Sequence, residues 1–113
     1  MAAIVIKRGD TLLISGVYKQ SNASPMDLTG YQLEVNIMNA NTDKSVITVI
    51  AGVSTANRSL TIENAVAGQF KLMVKDTEVL RDTDYYIDFK ITSDSGIEQT
   101  SKAIKLSVKT RLV

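Results

Sequence analysis

The chain of 113 residues contains no cysteine, no histidine and no tryptophan, and a single proline. Without cysteine there is neither a disulfide framework nor a thiolate metal site, so the fold must rest on packing alone and suits a reducing compartment. Without histidine the usual general base near neutral pH and the commonest zinc ligand are missing, and no serine has a recognisable activating partner. The first apolar stretch, Ile4-Val5-Ile6, is far shorter than the apolar region of an export signal, and nothing approaches a membrane span. Thirteen basic against twelve acidic residues leave a formal charge of +1. No global field then draws the molecule to nucleic acid or to a membrane surface, and neither is expected as a partner. Synthesis and folding in the cytoplasm is the matching expectation.

What remains is a globular balance, with 44% hydrophobic and 22% charged residues. One domain spanning 1–113 is expected, burying roughly two-thirds of the surface its unfolded chain exposes. Tyr31, Leu33, Val35 and Ile37 alternate with Gln32, Glu34 and Asn36, the period of a strand with one face buried. The pattern returns in Tyr85, Ile87, Phe89 and Ile91 and again in Ile104, Leu106 and Val108. Buried parallel strands read instead as unbroken apolar runs, so antiparallel pairing is predicted. Weaker strands are predicted at Ile4 to Lys7, Leu12 to Lys19, Ser45 to Ala51, Ser59 to Ile62, Gln69 to Val74 and Ile97 to Ser101.

Turn chemistry separates them: Arg8-Gly9-Asp10, Asn22 to Pro25, Asn39 to Asp43, Ala67-Gly68 and Ser93 to Gly96. At the last of these, an Asx-turn on Asp94 and a positive φ at Gly96 predict a hairpin. Short strands about ten residues apart with such turns predict an all-β sandwich of about 7–8 strands, of immunoglobulin-like type. One helical turn is predicted within 75–81, capped by Asp76 or Thr77 and carrying Val79 and Leu80 inward. Strand phase places Leu33, Val35, Ile37, Phe70, Leu72, Ile87, Phe89, Ile104 and Leu106 in the core, with Tyr31 and Tyr85 also facing in.

No catalytic, cofactor-binding or metal-binding residues are predicted. Asp82-Thr83-Asp84 and Ser93-Asp94-Ser95 bring oxygen atoms together without completing a calcium loop. Asn22-Ala23-Ser24 and Asn57-Arg58-Ser59 match a glycosylation acceptor pattern by chance, and Arg8-Gly9-Asp10 reads as a strand-connecting kink. Tyr86, near Lys90, is the candidate exposed aromatic.

A chain-long series of segments resembles small virion proteins of tailed bacteriophages and the Ig-like N-terminal module of phage baseplate proteins. It comprises Ile6 to Thr11; Pro25-Met26-Asp27-Leu28-Thr29-Gly30-Tyr31; Gly68-Gln69-Phe70-Lys71-Leu72; Thr77 to Leu80; Tyr86-Ile87-Asp88; Asp94-Ser95-Gly96; and Val108 to Arg111. Asp84 departs from the glycine frequent before the tyrosine strand. The resemblance implies a non-enzymatic virion part in tail, baseplate, neck or head surface, bound to other phage proteins and to copies of itself. Residues 1–6 and 109–113 are then candidate assembly arms, with Ala2, Ala3, Ile4, Lys109, Arg111 and Leu112 as contact residues. A receptor- or carbohydrate-binding Ig-like module is the alternative.

Overall fold

The computed structural model describes residues 3–19, 24–53, 55–81, 83–100 and 104–109. Among the described residues nine strands follow one another: β1 (Ala3–Lys7), β2 (Leu12–Val17), β3 (Gln32–Asn39), β4 (Ser45–Ile50), β5 (Arg58–Asn64), β6 (Gln69–Val74), β7 (Asp84–Thr92), β8 (Glu98–Thr100) and β9 (Ile104–Lys109). The larger sheet has the order β1-β9-β7-β3-β4, with β8 also paired to β7, and the smaller has the order β2-β6-β5. Two sheets face each other, and the immunoglobulin-like sandwich is the class they define.

One pairing departs from the antiparallel expectation. β1 and β9 run parallel, from Ala3 beside Lys105 to Lys7 beside Lys109. Alternation along a strand reports which face is buried and carries nothing about the direction of the neighbour, so the first and last strands could pair either way. β8 and β9, expected as separate strands, both pair with β7. Lys90 opposes Thr100, whereas Ile87 opposes Ile104, so the register advances by one residue between them.

The core lies between the sheets and follows the strand phase. Leu33, Val35, Ile37, Leu72, Ile87, Ile91 and Leu106 are fully enclosed, and Phe70 and Phe89 meet with ring centroids 5.0 Å apart and planes at 46°. Such a tilted pair adds about 0.5–1.5 kcal/mol beyond its buried area. Ile104 is half-buried, at a flank where, among the described residues, the smaller sheet has no strand to cover it, and Tyr31 likewise only packs against the core. Leu12, Leu28, Leu60, Leu80 and Tyr18 also belong to the interior.

The connections show how local chemistry sets the strand ends. In the segment before β3, Thr29 N donates to Asp27 Oδ1 at 2.9 Å and Tyr31 N donates to Leu28 O at 3.0 Å. Gly30 supplies the positive φ of +80° that this turn requires. The hairpin between β7 and β8 forms as expected but is closed by Ser93 in place of Asp94. Ser93 Oγ accepts from Ile97 N at 3.1 Å and Ser93 O accepts from Gly96 N at 2.9 Å.

The helical turn is a 3₁₀ turn, Thr77–Val79. Leu80 points inward and is enclosed, whereas Val79 is exposed. At three residues per turn neighbouring side chains stand about 120° apart, so two in succession cannot both face the core. Asp76 makes no cap bond. Its carboxylate is taken by Arg58, with Nη2 2.8 Å from Oδ2 and Nε 3.1 Å from each oxygen. Thr77 is no cap either: it is buried, its hydroxyl accepting from Gly9 N and donating to Asp10 O.

Candidate assembly surface

Among the described residues no group of three or more acidic, histidine or cysteine side chains could hold a metal ion. Of the oxygen-rich segments singled out in the sequence, Asp82 lies outside the described residues. Asp84 accepts from Ser107 Oγ at 2.8 Å and lies 3.9 Å from Lys105 Nζ. The Ser93 and Ser95 hydroxyls bond each other at 3.0 Å. These groups are partnered within the fold.

The tripeptide Arg8-Gly9-Asp10 is folded back onto the sandwich. Asp10 N donates to Lys7 O at 2.9 Å, and Asp10 Oδ2 accepts from Lys7 N at 3.1 Å. Arg8 Nε donates to Glu78 O at 2.8 Å, and Arg8 N donates to Lys109 O at 2.7 Å. It is a strand-connecting turn docked on the 3₁₀ segment, as its position between two strands suggested.

The candidate arm residues fall in three places. Ala3 and Ile4 pair with Lys105 and Leu106, and Lys109 pairs with Lys7, all within the chain's own larger sheet. Ala2, Arg111 and Leu112 lie outside the described residues. An arm that used Ala3, Ile4 or Lys109 would have to exchange these ladder bonds for others.

The outer face of the larger sheet carries Tyr86, 39% exposed, in a shallow hollow of about 250 Å³ with Met38, Asp43 and Asp88. Partial burial pushes the Asp88 carboxyl above the usual carboxylate range. Beside it Asn36 Oδ1 accepts from Thr48 Oγ1 at 2.7 Å, and Asn36 Nδ2 donates to Glu34 at 2.9 Å. Lys90 reaches Glu98 at 3.1 Å and Glu34 at 3.6 Å, and its ammonium is held above its ordinary pKa, first by the hydrogen bond to Glu98. This face is polar and largely satisfied within itself.

The opposite flank differs. Between β2 and the larger sheet opens a cleft of about 370 Å³ whose walls include Ile14, Gly16, Phe70, Phe89 and Ile104, with Lys19 at its mouth. It exists because the larger sheet is five strands wide while the smaller is three. Nothing in the sequence announced it: the phase of β2 gives its inward face, but which strand lacks a neighbour is a property of sheet order. The one local signal is Gly16, the position of β2 without a side chain.

No protein-family model matches the chain, and no curated protein matches it in sequence. Solved structures do resemble it. The N-terminal domain of phage TP901-1 ORF48 superposes with a TM-score of 0.62 at 17% identity, over 96% of this chain and 85% of that one. Murine CRIg superposes with a TM-score of 0.47 at 15% identity, over 96% of this chain and 93% of the other. The first of these likenesses shows a shared fold along nearly the whole chain.

Proposed function

We propose that this domain is a non-enzymatic structural part of a tailed-phage particle, working through protein–protein contacts in a symmetric assembly. The observation that carries the reading is the likeness in fold, over 96% of the chain, to a domain of a phage protein. The segments quoted from the sequence point the same way independently. The physical form suits the role: the buried side-chain polar atoms of the described residues all find partners within the fold, while sheet edges and one apolar flank stay open to neighbours. Its partners are other virion proteins and further copies of itself, in the tail, baseplate, neck or head surface. Mass spectrometry of purified particles from the phage or prophage carrying the gene tests this. The chain is expected at a fixed copy number relative to the known structural proteins. Finding it in the lysate but not in the particles overturns the reading.

A second reading, a receptor- or carbohydrate-binding module, is favoured by the exposure of Tyr86 beside Asp43 and Asp88. Among the described tyrosines Tyr18 and Tyr85 are buried and Tyr31 is half-buried, which leaves a single stacking platform. Binding on a glycan array that disappears with Tyr86→Ala would reverse the order of the two readings.

A further inference from the structure

We propose that the cleft beside β2 receives an extended segment of a partner protein, with aliphatic side chains at every second position entering the cleft and acidic side chains between them. The inference rests on the assembly reading and names the surface and chemistry through which one contact is made.

The backbone of β2 is the first argument. Among the described residues β2 is ladder-paired only with β6, so its second edge presents unpaired N–H and C=O groups. Folded proteins blunt such edges with lysine, proline, bulges or short length. β2 has none of these devices: Leu-Leu-Ile-Ser-Gly-Val is six residues long, uncharged, without proline, and in unbroken register with β6 from Leu12 to Val17. By contrast β5 carries Arg58 and Glu63 and a register shift between Ile62 and Asn64, and β1 ends in Lys7. An unprotected edge of this kind is a template for strand addition.

The side chains are the second argument. A strand laid beside β2 would cover the inner face of the larger sheet where Ile4 and Ile104 are only half-buried, although Leu106 and Val108 further along β9 are enclosed. A side chain at Gly16 would begin 3.0 Å from Cζ of Phe70. Its absence leaves room beside the ring of Phe70, which lines the cleft together with Phe89. The receiving surface is therefore apolar and takes side chains from one face of the added strand, which is an every-second-residue requirement.

Charge selects the occupant. Of the residues that line the cleft Lys19 alone is charged and none is acidic, and on the outer face of the smaller sheet Lys71 stands across from Ser15 of β2. An incoming strand with acids on its outward face is attracted, and one with lysines is repelled. The terminal strands of a second copy bring Lys7, Lys105 and Lys109, which disfavours self-exchange at this edge.

The test is selection of a display library of random ten-residue peptides on the whole chain, followed by titration of the selected peptide into ¹⁵N-labelled protein. Enriched sequences are expected to alternate aliphatic and acidic residues and to shift the amides of Leu12 to Val17. Gly16→Val fills the cleft and should weaken binding by about tenfold or more, a loss of about 1.4 kcal/mol. Lys19→Glu with Lys71→Glu, both exposed and compatible with an intact fold, should turn the selected acids into basic residues. Sequences without alternation, no enrichment, unchanged selection by the double variant, or self-association of the chain through β2 each overturn the proposal. Failure here would leave incorporation into particles untouched, whereas absence from particles would leave peptide selection untouched, so the two readings fail separately.

Discussion

The Tyr85 hydroxyl closes a loop on the backbone of Arg81, accepting from its N–H at 2.8 Å and donating to its carbonyl at 3.2 Å. Tyr85 is buried at the start of β7, so this pair of bonds ties the corner after the 3₁₀ turn to the strand that forms the centre of the larger sheet. A tyrosine so placed is a recurring device of immunoglobulin-like sandwiches. Tyr85→Phe keeps the ring and removes both bonds. Equilibrium unfolding in urea should show a loss of about 1–2 kcal/mol. An unchanged midpoint would mean that water replaces the hydroxyl at no cost.

Gly68 sits where the chain leaves the β5–β6 turn, at φ +69°. A methyl group there would lie 2.6 Å from the carbonyl oxygen of Met26 and 2.8 Å from that of Tyr18. Both are backbone atoms, and Tyr18 is tied to this site by its N–H to Gly68 O at 2.8 Å. Gly68→Ala therefore adds backbone strain to a contact that no rotamer relieves, and should cost at least about 2 kcal/mol. A loss under about 0.5 kcal/mol would show that the segment around Met26 moves aside freely.

Phe89 is 4% exposed and packs against Phe70. Phe89→Ala should cost about 3 kcal/mol, the low end for a buried phenylalanine because the side chain also borders the open cleft. Chemical denaturation measures it, and a loss below about 1 kcal/mol would contradict the burial.

The Arg58–Asp76 pair makes stability depend on pH in a definite sense. The hydrogen bonds from Arg58 hold the Asp76 carboxyl below the usual carboxylate range in the folded chain. A depressed folded pKa contributes stability that is fully present above the unfolded value of about 3.9 and is lost as pH falls toward the folded one. Asp76→Asn should then cost about 1–2 kcal/mol at neutral pH. The gap between variant and parent should close as pH drops below about 4. A gap that is constant with pH would assign the loss to packing.

Alternation made the central strands legible: β3, β7 and β9 each bury one face, and a strand with one wet face must show this in its sequence. Gln69–Val74 was legible in full because Gly68 marks its start and Phe70, Leu72 and Val74 its inner face. Pairing direction was not legible, since β1 offers the same side chains to a parallel or an antiparallel neighbour. Nor was the cap-to-salt-bridge exchange at Asp76, whose partner is 18 residues away. The cleft was the least visible, because it is made by a strand that sheet order leaves, among the described residues, with a neighbour on one side only.

Asp88 gives the opposite pH dependence. It lies on the outer face of β7 across from Asn36, in the hollow with Met38, Asp43 and Tyr86. The nearest cation along its strand face, Lys90, is engaged by Glu98 and Glu34. Burial raises its pKa, so the folded chain favours the protonated acid. A raised folded pKa means a relative stability that is present below the unfolded value of about 3.9 and is lost as pH rises through the folded one. Asp88→Asn removes the charge and keeps the shape. It should gain on the order of 0.5 kcal/mol at neutral pH and nothing in acid below the ordinary carboxylate range. Thermal unfolding of parent and variant across that interval reads the difference directly, and a variant less stable than the parent at neutral pH would show that the Asp88 carboxylate is compensated where it stands.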